Sequence, residues 1–368
     1  MRDRPRLAPG HLAQTTVRNT IQGEPARALD HDTSQAPDHG GDIDSIRRAF
    51  PDAPVPWIDL STGINPWPYP IGNLPPDAWS RLPSRAAEDA VREAAATYYG
   101  APSAEQVVLA PGSQALIQWL PRLRARSRVA VLSPTYGEHA WSWSSAGHDV
   151  LCPITLHDVP DDVAVLVVTR PNNPDGVVAP SDWIAEWAHR LARRGGWLVI
   201  DEAFADGDDA PSVIQAIPVE SMIVLRSFGK FFGLAGCRLG VALVVSATVR
   251  KLLRSALGPW CVSGPTLAIA DRAFRDREWI AHTRERLARG TARLDMLAAR
   301  RGYALIGGTP LFRLYEHADA QAEYAGLCAA GIAVRRFKAQ PTWLRFGLPP
   351  DAAAEARLAR ILGRSAAA

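Results

Sequence analysis

The sequence has few cysteines, no long apolar run and no cluster of like charges. Its four cysteines (Cys152, Cys237, Cys261 and Cys328) show neither metal-ligand spacing nor a C-x-x-C pair. This favours reduced residues of a cytoplasmic protein over a disulfide framework. No apolar stretch is long enough to span a bilayer, and residues 1–10 lack the apolar segment of a secretory signal. The net charge is +3 with scattered basic residues, so neither nucleic acid nor a membrane is indicated as a partner.

The length and apolar content of the chain are those of a globular protein. Its 368 residues are 47% hydrophobic, which is enough for a large core and, by length, for two domains. Residues 1–38 are polar and show little apolar periodicity, so we expect a disordered tail there. We expect an N-terminal arm over 39–75, a large domain over 76–257 and a smaller α+β domain over 258–368.

From Ser84 onward, short strand-like runs alternate with helical windows. The run 163–168 does not alternate between apolar and polar residues, which is typical of a strand buried on both faces. Strands separated by helices indicate βαβ units, and therefore an α/β fold with a mostly parallel sheet covered by helices. We expect Ser181 to cap a helix over 182–193, and one long helical region over 265–301. The predicted strands of the large domain are residues 107–109, 128–132, 163–168, 197–200, 222–225 and 239–245.

The glycine-rich segment 225–240 holds the main candidate nucleophile. Lys230 is flanked there by Phe228, Phe231 and Phe232, and burial of an amine disfavours its charged form. A free amine can form a Schiff base with a carbonyl compound. The alternative is a buried lysine paired with an acid in a tight turn. A nucleotide-binding P-loop is excluded because G-x-x-x-x-G-K-S/T is absent around this lysine.

Possible phosphate-binding residues surround the lysine in the sequence. Ser227 precedes Lys230 by three residues and Arg238 follows it by eight, and a hydroxyl and a guanidinium both suit a phosphate. Ser113 and Gln114 open a helix after a predicted strand, where backbone N–H groups could also hold a phosphate. Many turns between a strand and a helix look the same, so this second feature is weak alone. A lysine nucleophile beside a phosphate clamp suggests pyridoxal phosphate as the cofactor.

Three further motifs follow predicted strands, and ligands of open α/β sheets bind at the carboxyl ends of strands. Tyr136 could stack on a flat heterocycle or could simply close a loop onto the core. Asn173 lies in a turn rich in proline and asparagine and could donate to a phenolate oxygen, although the turn could also be a plain one. Asp201 ends a buried run, so its carboxylate needs a partner, and a protonated pyridine nitrogen would be one. No cluster of His, Cys and Asp supports a metal instead.

In this order the motifs resemble fold type I pyridoxal-phosphate enzymes of the class I/II aminotransferase superfamily, over roughly residues 39–365. The resemblance implies that Lys230 is bonded to the cofactor and that Asp201 pairs with its pyridine nitrogen. It also implies that Asn173 contacts the ring oxygen and that Tyr136 stacks on the ring. The residues implied around the cofactor phosphate are Ser113, Gln114, Ser227 and Arg238.

The sequence of the N-terminal arm resembles one particular family within this superfamily. His39-Gly40-Gly41 and the loop 58–66 resemble the threonine-phosphate decarboxylase family of cobalamin biosynthesis, which is related to histidinol-phosphate aminotransferases. The resemblance implies release of CO2 from L-threonine O-3-phosphate to give (R)-1-aminopropan-2-yl phosphate. It also implies a homodimer and an arm that completes the active site. A histidinol-phosphate-type aminotransferase is the alternative. The implied substrate contacts are His39, Gly40, Asn173, Arg335 and Arg345.

Two positions depart from the family pattern. Many relatives have a tyrosine three residues after the aspartate, where this sequence has Phe204, so one hydrogen bond to the ring oxygen would be missing. A family asparagine in the loop before Asn65 falls on Gly63. Without the resemblance, His39 would be interpreted as an ordinary loop histidine. A cofactor-binding module without turnover is an alternative of a different class, and an NAD-type protein is disfavoured because G-x-G-x-x-G is absent after the first strand.

Overall fold

The structure is a computed structural model that describes residues 37, 39–208 and 212–363. The predicted disordered tail, residues 1–38, lies outside the described residues apart from Pro37. The division of the chain into an arm and two domains stays a prediction. Within the described ranges, none of the helices is both long and apolar enough to cross a bilayer.

Two sheets and their surrounding helices make up the described chain. The strands are β1 (Ile58–Leu60), β2 (Val107–Ala110), β3 (Arg128–Val131), β4 (Asp149–Leu151), β5 (Val165–Thr169), β6 (Trp197–Asp201), β7 (Met222–Ser227), β8 (Gly240–Val244), β9 (Ala304–Thr309), β10 (Phe312–Glu316), β11 (Ile332–Arg336) and β12 (Trp343–Phe346). The helices are α1 (Ile43–Ala49), α2 (Asp77–Ser80), α3 (Arg85–Tyr99), α4 (Ser113–Trp119), α5 (Glu138–Ser145), α6 (Ser181–Ala192), α7 (Val213–Ala216), α8 (Phe228–Phe231), α9 (Ala247–Leu257), α10 (Gly264–Arg275), α11 (Arg277–Arg300), α12 (Ala320–Ala329) and α13 (Ala352–Leu362).

The seven-stranded sheet has the order β2-β8-β7-β6-β5-β3-β4. Its neighbouring strands are parallel except at β8, which is antiparallel to both β7 and β2. The four-residue helix α8 and a short 3-10 helix (Ala235–Cys237) lie between β7 and β8. Every residue of β5, β6 and β7 is buried, as expected of strands covered on both faces. The predicted α/β fold with a mostly parallel sheet is confirmed.

The carboxyl ends of β2, β3, β5, β6 and β7 meet at one edge of this sheet, because these strands run in the same direction. Asp201 is the last residue of β6 and Ser227 is the last residue of β7. The segments that begin at Pro111 and Pro134 follow β2 and β3. The predicted placement of the motifs at strand ends is therefore confirmed.

The five-stranded sheet has the order β1-β11-β12-β10-β9. Strand β1, from the N-terminal part of the chain, pairs parallel with β11, with Ile58 opposite Ile332. The other pairs are antiparallel, and Arg335 of β11 lies directly opposite Arg345 of β12. The N-terminal part of the chain is thus built into the C-terminal sheet, beside the strands that carry the two predicted substrate arginines.

The structure corrects one helix-cap prediction and divides one predicted helical region. Helix α6 begins at Ser181 itself, and the Ser181 hydroxyl accepts a hydrogen bond from Arg170 Nη2 at 3.2 Å instead of capping the helix. The predicted long helical region 265–301 is helical, and it consists of two helices, α10 and α11, that are separated at Asp276. The Asp276 carboxylate accepts from the Trp279 backbone N–H at 3.0 Å, so it caps the second helix.

Six elements were absent from the sequence-based prediction: α2, α5, β4, α7, α8 and α9. Helix α5 buries the polar residues Glu138, His139 and Ser142 together with Ala140 and Trp143. A helix with a polar buried face lacks the apolar periodicity on which the prediction depended. Two of these polar residues, Glu138 and His139, pair with Gln114 and Asp201 at the strand edge.

Candidate active site

Lys230 lies in helix α8, immediately after β7. Its flanking residues Phe228, Phe231 and Phe232 are fully buried. The pKa of the Lys230 ammonium group is lowered to about 8, mainly by burial and also by the nearby Arg345, while Asp201 opposes the shift. The Nζ atom lies 5.4 Å from the centre of the Phe204 ring. Lys230 thus has the environment of an amine that loses its proton readily, and it lies within electrostatic range of Asp201.

The Asp201 carboxylate is buried and held from two sides. Its Oδ2 lies 2.9 Å from His139 Nε2, and its Oδ1 accepts from the Ala203 backbone N–H at 2.9 Å. His139 is also buried, so the pair is a fixed unit. The sequence analysis gave His139 no role. His139 could have been predicted from its position, because it follows Tyr136 by three residues in a motif that comes after β3.

Three predicted phosphate-binding residues lie together at the ends of β2, β7 and β8. Ser227 is opposite Gly240 in the β7–β8 pair, and a Cβ atom at Gly240 would collide with the backbone N of Ser113. A Cβ atom at Gly112 would lie 2.5 Å from Arg238 Nη2. The Arg238 side chain is exposed. The structure therefore brings two hydroxyls and a guanidinium to one place, as a phosphate site requires.

Gln114 and Tyr136 join this group through a buried acid. Tyr136 donates to Gln114 Oε1 at 3.2 Å, and Gln114 Nε2 donates to Glu138 Oε2 at 2.5 Å. Glu138 Oε1 lies 2.7 Å from His39 Nε2. Burial is the main cause that raises the pKa of Tyr136 far above its usual value, so its phenol stays a donor. Glu138, which the sequence analysis did not single out, links the N-terminal segment to the predicted cofactor residues.

Arg345 is buried and faces the same space from the smaller sheet. Its Nη1 donates to Asn173 Oδ1, and its Nη2 donates to the Ser61 carbonyl at 2.9 Å. Its Nε is buried and has no hydrogen-bond partner among the described residues. Burial lowers the pKa of Arg345 to about 10, and the neighbouring Arg335 adds to the effect. Two guanidinium groups opposite each other favour an anion between or beside them.

The predicted residues His39 and Gly40 lie beside the Arg345 contacts. Gly41 N donates to Ser61 Oγ at 2.8 Å, and Ser61 Oγ donates to Asp59 Oδ1 at 2.6 Å. A Cβ atom at Gly40 would collide with the Ser61 carbonyl oxygen, so only glycine permits this close approach. Residues of the N-terminal segment, the large sheet and the small sheet thus meet in a single site.

Comparison with known proteins identifies the family of the chain. The family model described as "Aminotransferase class I and II" matches residues 76–361. The chain belongs to the class I and II aminotransferase family. It is 45% identical to a threonine-phosphate decarboxylase of Pseudomonas aeruginosa and 43% identical to one of Sinorhizobium sp. Each alignment covers 89% of this chain and 97% of the relative.

A solved structure of the same family has the same architecture. The histidinol-phosphate aminotransferase of Sinorhizobium meliloti, solved in complex with pyridoxal-5'-phosphate, superposes with a TM-score of 0.77. The superposition covers 92% of this chain and 97% of that chain, at 20% sequence identity. At this identity the likeness concerns the fold alone. It confirms the predicted fold type I architecture.

The two departures from the family pattern touch each other. A Cβ atom at Gly63 would lie 2.7 Å from Phe204 Cε1 and 2.9 Å from Phe312 Cδ1. The two phenylalanine rings pack edge to face with 4.9 Å between centres, and the Arg345 guanidinium lies 5.0 Å from the centre of the Phe312 ring. Gly63 and Phe204 therefore form one apolar wall of the site, because any side chain at position 63 would displace these rings.

Among the described residues, no three His, Cys, Asp or Glu side chains are grouped so that they could hold a metal ion. All four cysteines are free. The acids and histidines of the site instead pair with each other and with neutral donors, as Asp201 does with His139 and Glu138 with Gln114.

Proposed function

We propose that this chain is a pyridoxal-phosphate-dependent decarboxylase that converts L-threonine O-3-phosphate to (R)-1-aminopropan-2-yl phosphate and CO2 in cobalamin biosynthesis. The observation that carries the proposal is the placement of Arg335 opposite Arg345, with Arg345 close enough to Lys230 to lower its pKa. Such a site suits an amino acid with two anionic groups, a carboxylate and a phosphate. The identity to two threonine-phosphate decarboxylases supports this choice.

The residues of the site fit pyridoxal phosphate. Lys230 offers an amine of lowered pKa to the aldehyde, and Asp201 offers a fixed carboxylate to the pyridine nitrogen. Tyr136 and Asn173 would contact the ring. When bound, the cofactor supplies an electron sink for the electron pair of the bond that breaks at the substrate Cα. The residues that would hold the cofactor phosphate are Ser113, Gln114, Ser227 and Arg238.

The side chains of the protein carry out the remaining steps. Asp201, oriented by His139, would stabilise a positive charge on the ring nitrogen of the bound cofactor. Loss of CO2 leaves an electron pair on the substrate Cα, which must receive a proton. Lys230 lies within the site and would donate that proton. Its pKa of about 8 leaves a protonated fraction available near neutral pH.

The orientation of the substrate in the site decides which bond at its Cα atom breaks. We propose that Arg345 binds the substrate carboxylate, because it is buried and its Nε has no partner in the described part of the chain. His39 and Arg335 would bind the phosphate, with Gly40 and Asn173 beside them. Two anchors on one small substrate restrict rotation about Cα, so the carboxylate can be held in the position from which it leaves. A single anchor would leave the choice between loss of CO2 and loss of a proton open.

A product assay tests the proposal against its alternatives. Purified protein with pyridoxal phosphate and L-threonine O-3-phosphate, and no keto acid, is expected to release CO2 and aminopropanol phosphate in equal amounts. Lys230→Ala is expected to abolish both products. Turnover that requires a keto acid would instead indicate a histidinol-phosphate-type aminotransferase. Cofactor absorbance that depends on Lys230, without turnover of any phosphorylated amino acid, would indicate a binding module.

We further propose that the protein is a cytoplasmic homodimer. The support for a dimer is a group of exposed apolar side chains at one surface. Leu82 and Trp260 are 68% and 53% exposed. They line two separate surface cavities, and Pro83 lines both of them. Exposed apolar groups of this kind mark protein contacts. The absence of paired cysteines supports a reducing compartment.

A further inference from the structure

Asn65 is a polar residue with only 1% of its surface exposed, and it lies in the loop after β1. Its side chain bonds in two directions: Nδ2 donates to the Phe231 carbonyl at 2.8 Å, and Oδ1 accepts from the Trp67 backbone N–H at 2.9 Å. Its backbone N–H donates to the Lys230 carbonyl at 3.0 Å. One residue therefore holds the last two carbonyls of helix α8.

Helix α8 depends on such contacts because it has four residues. The last carbonyls of a helix have no partner within it, and a single turn is not stable by itself. The next residues of the same loop continue the pattern, since Tyr69 N donates to the Phe232 carbonyl at 2.9 Å. The position of Lys230 is thus set by the loop that packs against its helix.

The other end of this loop belongs to the substrate side of the site. The Ser61 carbonyl accepts from Arg345 Nη2, and the Ser61 hydroxyl accepts from Gly41 N. Between these contacts and Asn65, Gly63 packs against Phe204. The loop therefore connects the predicted substrate-binding groups with Lys230 through contacts at nearly every residue.

We propose that Asn65 is a positioning residue for Lys230. Its side-chain amide, by donating to the Phe231 carbonyl, keeps the α8 turn at the depth where the Lys230 amine is buried and faces Asp201. The inference rests on the proposed function, in which Lys230 is the reacting amine. It assigns a role to a residue that contacts neither cofactor nor substrate itself.

Asn65→Asp separates this role from simple loop stability. The aspartate keeps an oxygen that accepts from Trp67 N but can no longer donate to the Phe231 carbonyl. Asn65→Ser is a second variant, since its hydroxyl can accept from Trp67 N and is too short to reach Phe231. We expect both variants to lower kcat for decarboxylation about 10- to 100-fold, with KM changed by less than about 3-fold.

The pKa of Lys230 in cofactor-free protein is a readout that does not depend on activity. It can be measured from the pH dependence of Lys230 modification by a small acylating reagent. We expect it to rise in Asn65→Ser from about 8 toward the ordinary lysine value, because the amine becomes better solvated. In Asn65→Asp the added carboxylate also raises the pKa by its charge, so a rise in the neutral serine variant is the supporting result. This measurement decides the inference even if wild-type protein does not decarboxylate threonine phosphate, so the two failures are distinguishable.

Trp67→Phe is the matched control. It removes the bond from Trp67 Nε1 to the Pro350 carbonyl, 2.7 Å long, from the same loop but leaves every Asn65 contact. We expect wild-type kcat and wild-type Lys230 pKa for this control. The inference is overturned if Asn65→Asp, or Asn65→Ser should the aspartate variant not fold, keeps wild-type values of both quantities. It is equally overturned if Trp67→Phe changes them as much as the Asn65 variants do.

Discussion

At the scale of single residues, the pKa of Lys230 is set by burial and three charged neighbours. Burial lowers it most, Arg345 and Arg238 lower it further, and Asp201 raises it. A lysine that faces two guanidinium groups and one carboxylate is biased toward the neutral amine. The same Arg345 has a lowered pKa, because it is buried and faces Arg335. The site thus holds more positive charge than its own acids neutralise, and this excess is what an anionic substrate would balance.

The lowered pKa of Lys230 makes stability depend on pH. Between about 8 and 10.5, the folded and ordinary values, the unfolded lysine holds its proton while the folded one has lost it. The unfolded state then binds more protons, so this residue makes the free energy of unfolding rise with pH across that window. Below about 8 both states are protonated and the penalty for burying the charge is fully present.

Urea denaturation of cofactor-free protein at several pH values measures this effect. Lys230→Met removes the titrating group, so we expect the variant to be more stable than wild type at pH 7, by about 1–3 kcal/mol. The difference should shrink as pH rises through the window. A constant difference from neutral to alkaline pH would contradict the lowered pKa.

Arg335 provides a second prediction at this scale. We expect Arg335→Gln to raise KM for L-threonine O-3-phosphate about 10- to 100-fold, because a charged anchor for the phosphate is lost. The free energy of unfolding should stay the same or increase slightly, since like charges directly opposite each other on paired strands are unfavourable. Steady-state kinetics and denaturation measure the two quantities.

Arg336→Gln is the control for Arg335. Arg336 is the next residue of β11, is exposed, and lies over the Tyr324 ring. Its loss should change KM by less than about 2-fold, because alternate residues of a strand face opposite sides. Equal effects of the two substitutions would indicate a general positive field in place of a specific anchor.

At the scale of elements, the site depends on segments too short to hold their own shape. Strand β1 has three residues and α8 has four. Each is fixed by a neighbour from a distant part of the chain: β1 pairs with β11, and α8 receives hydrogen bonds from the loop after β1. The loop directly follows β1 and also contacts α8. A change in the packing of this loop should therefore affect both substrate binding and the position of Lys230.

Gly63 in this loop offers a direct test. We expect Gly63→Ala to destabilise the protein by about 1–3 kcal/mol, since the added methyl group must displace the Phe204 and Phe312 rings. It should also lower kcat/KM, because those rings line the site. Gly236→Ala is the control, because a Cβ atom there meets nothing within 4 Å. If Gly63→Ala is as stable as Gly236→Ala, the Phe204 and Phe312 rings can move aside without a loss of stability, which contradicts the prediction.

At the scale of the whole molecule, the two sheets contribute different parts of the site. The large sheet supplies Lys230 and Asp201, and the small sheet supplies Arg335 and Arg345. Asn173 bridges them through its contact with Arg345. The groups proposed for the cofactor and for the substrate anions thus come mainly from separate sheets, so the relative placement of the sheets sets the distance between them.

The proposed homodimer can be tested at the exposed apolar surface. We expect Leu82→Asp to shift the protein from dimer to monomer in size-exclusion chromatography with light scattering, because a charge there opposes burial. Val55→Asp is the control, since Val55 is 79% exposed and is distant in sequence from that surface. A wild-type monomer, or dissociation by both substitutions, would contradict the assignment.

The sequence by itself determined the fold class and the main groups of the site. Non-alternating apolar runs predict buried parallel strands, and polar motifs at their ends predict a site at one sheet edge. Lys230, Asp201, Ser113 and Ser227 follow from these local patterns, because each lies at a fixed offset from a strand end. Helix α5 was missed, because its buried face combines the core residues Ala140 and Trp143 with polar residues that pair with the site.

Only the tertiary structure decided which distant residues meet. His139 with Asp201, Glu138 with His39, and Arg335 opposite Arg345 each join residues from different elements, and Gly63 and Phe204 touch across two sheets. Local periodicity indicates which face of a helix or strand is apolar, but it does not indicate which distant element packs against that face. The contacts of Asn65 with the turn that carries Lys230 belong to this second group for the same physical reason, because they join residues that are far apart in the sequence.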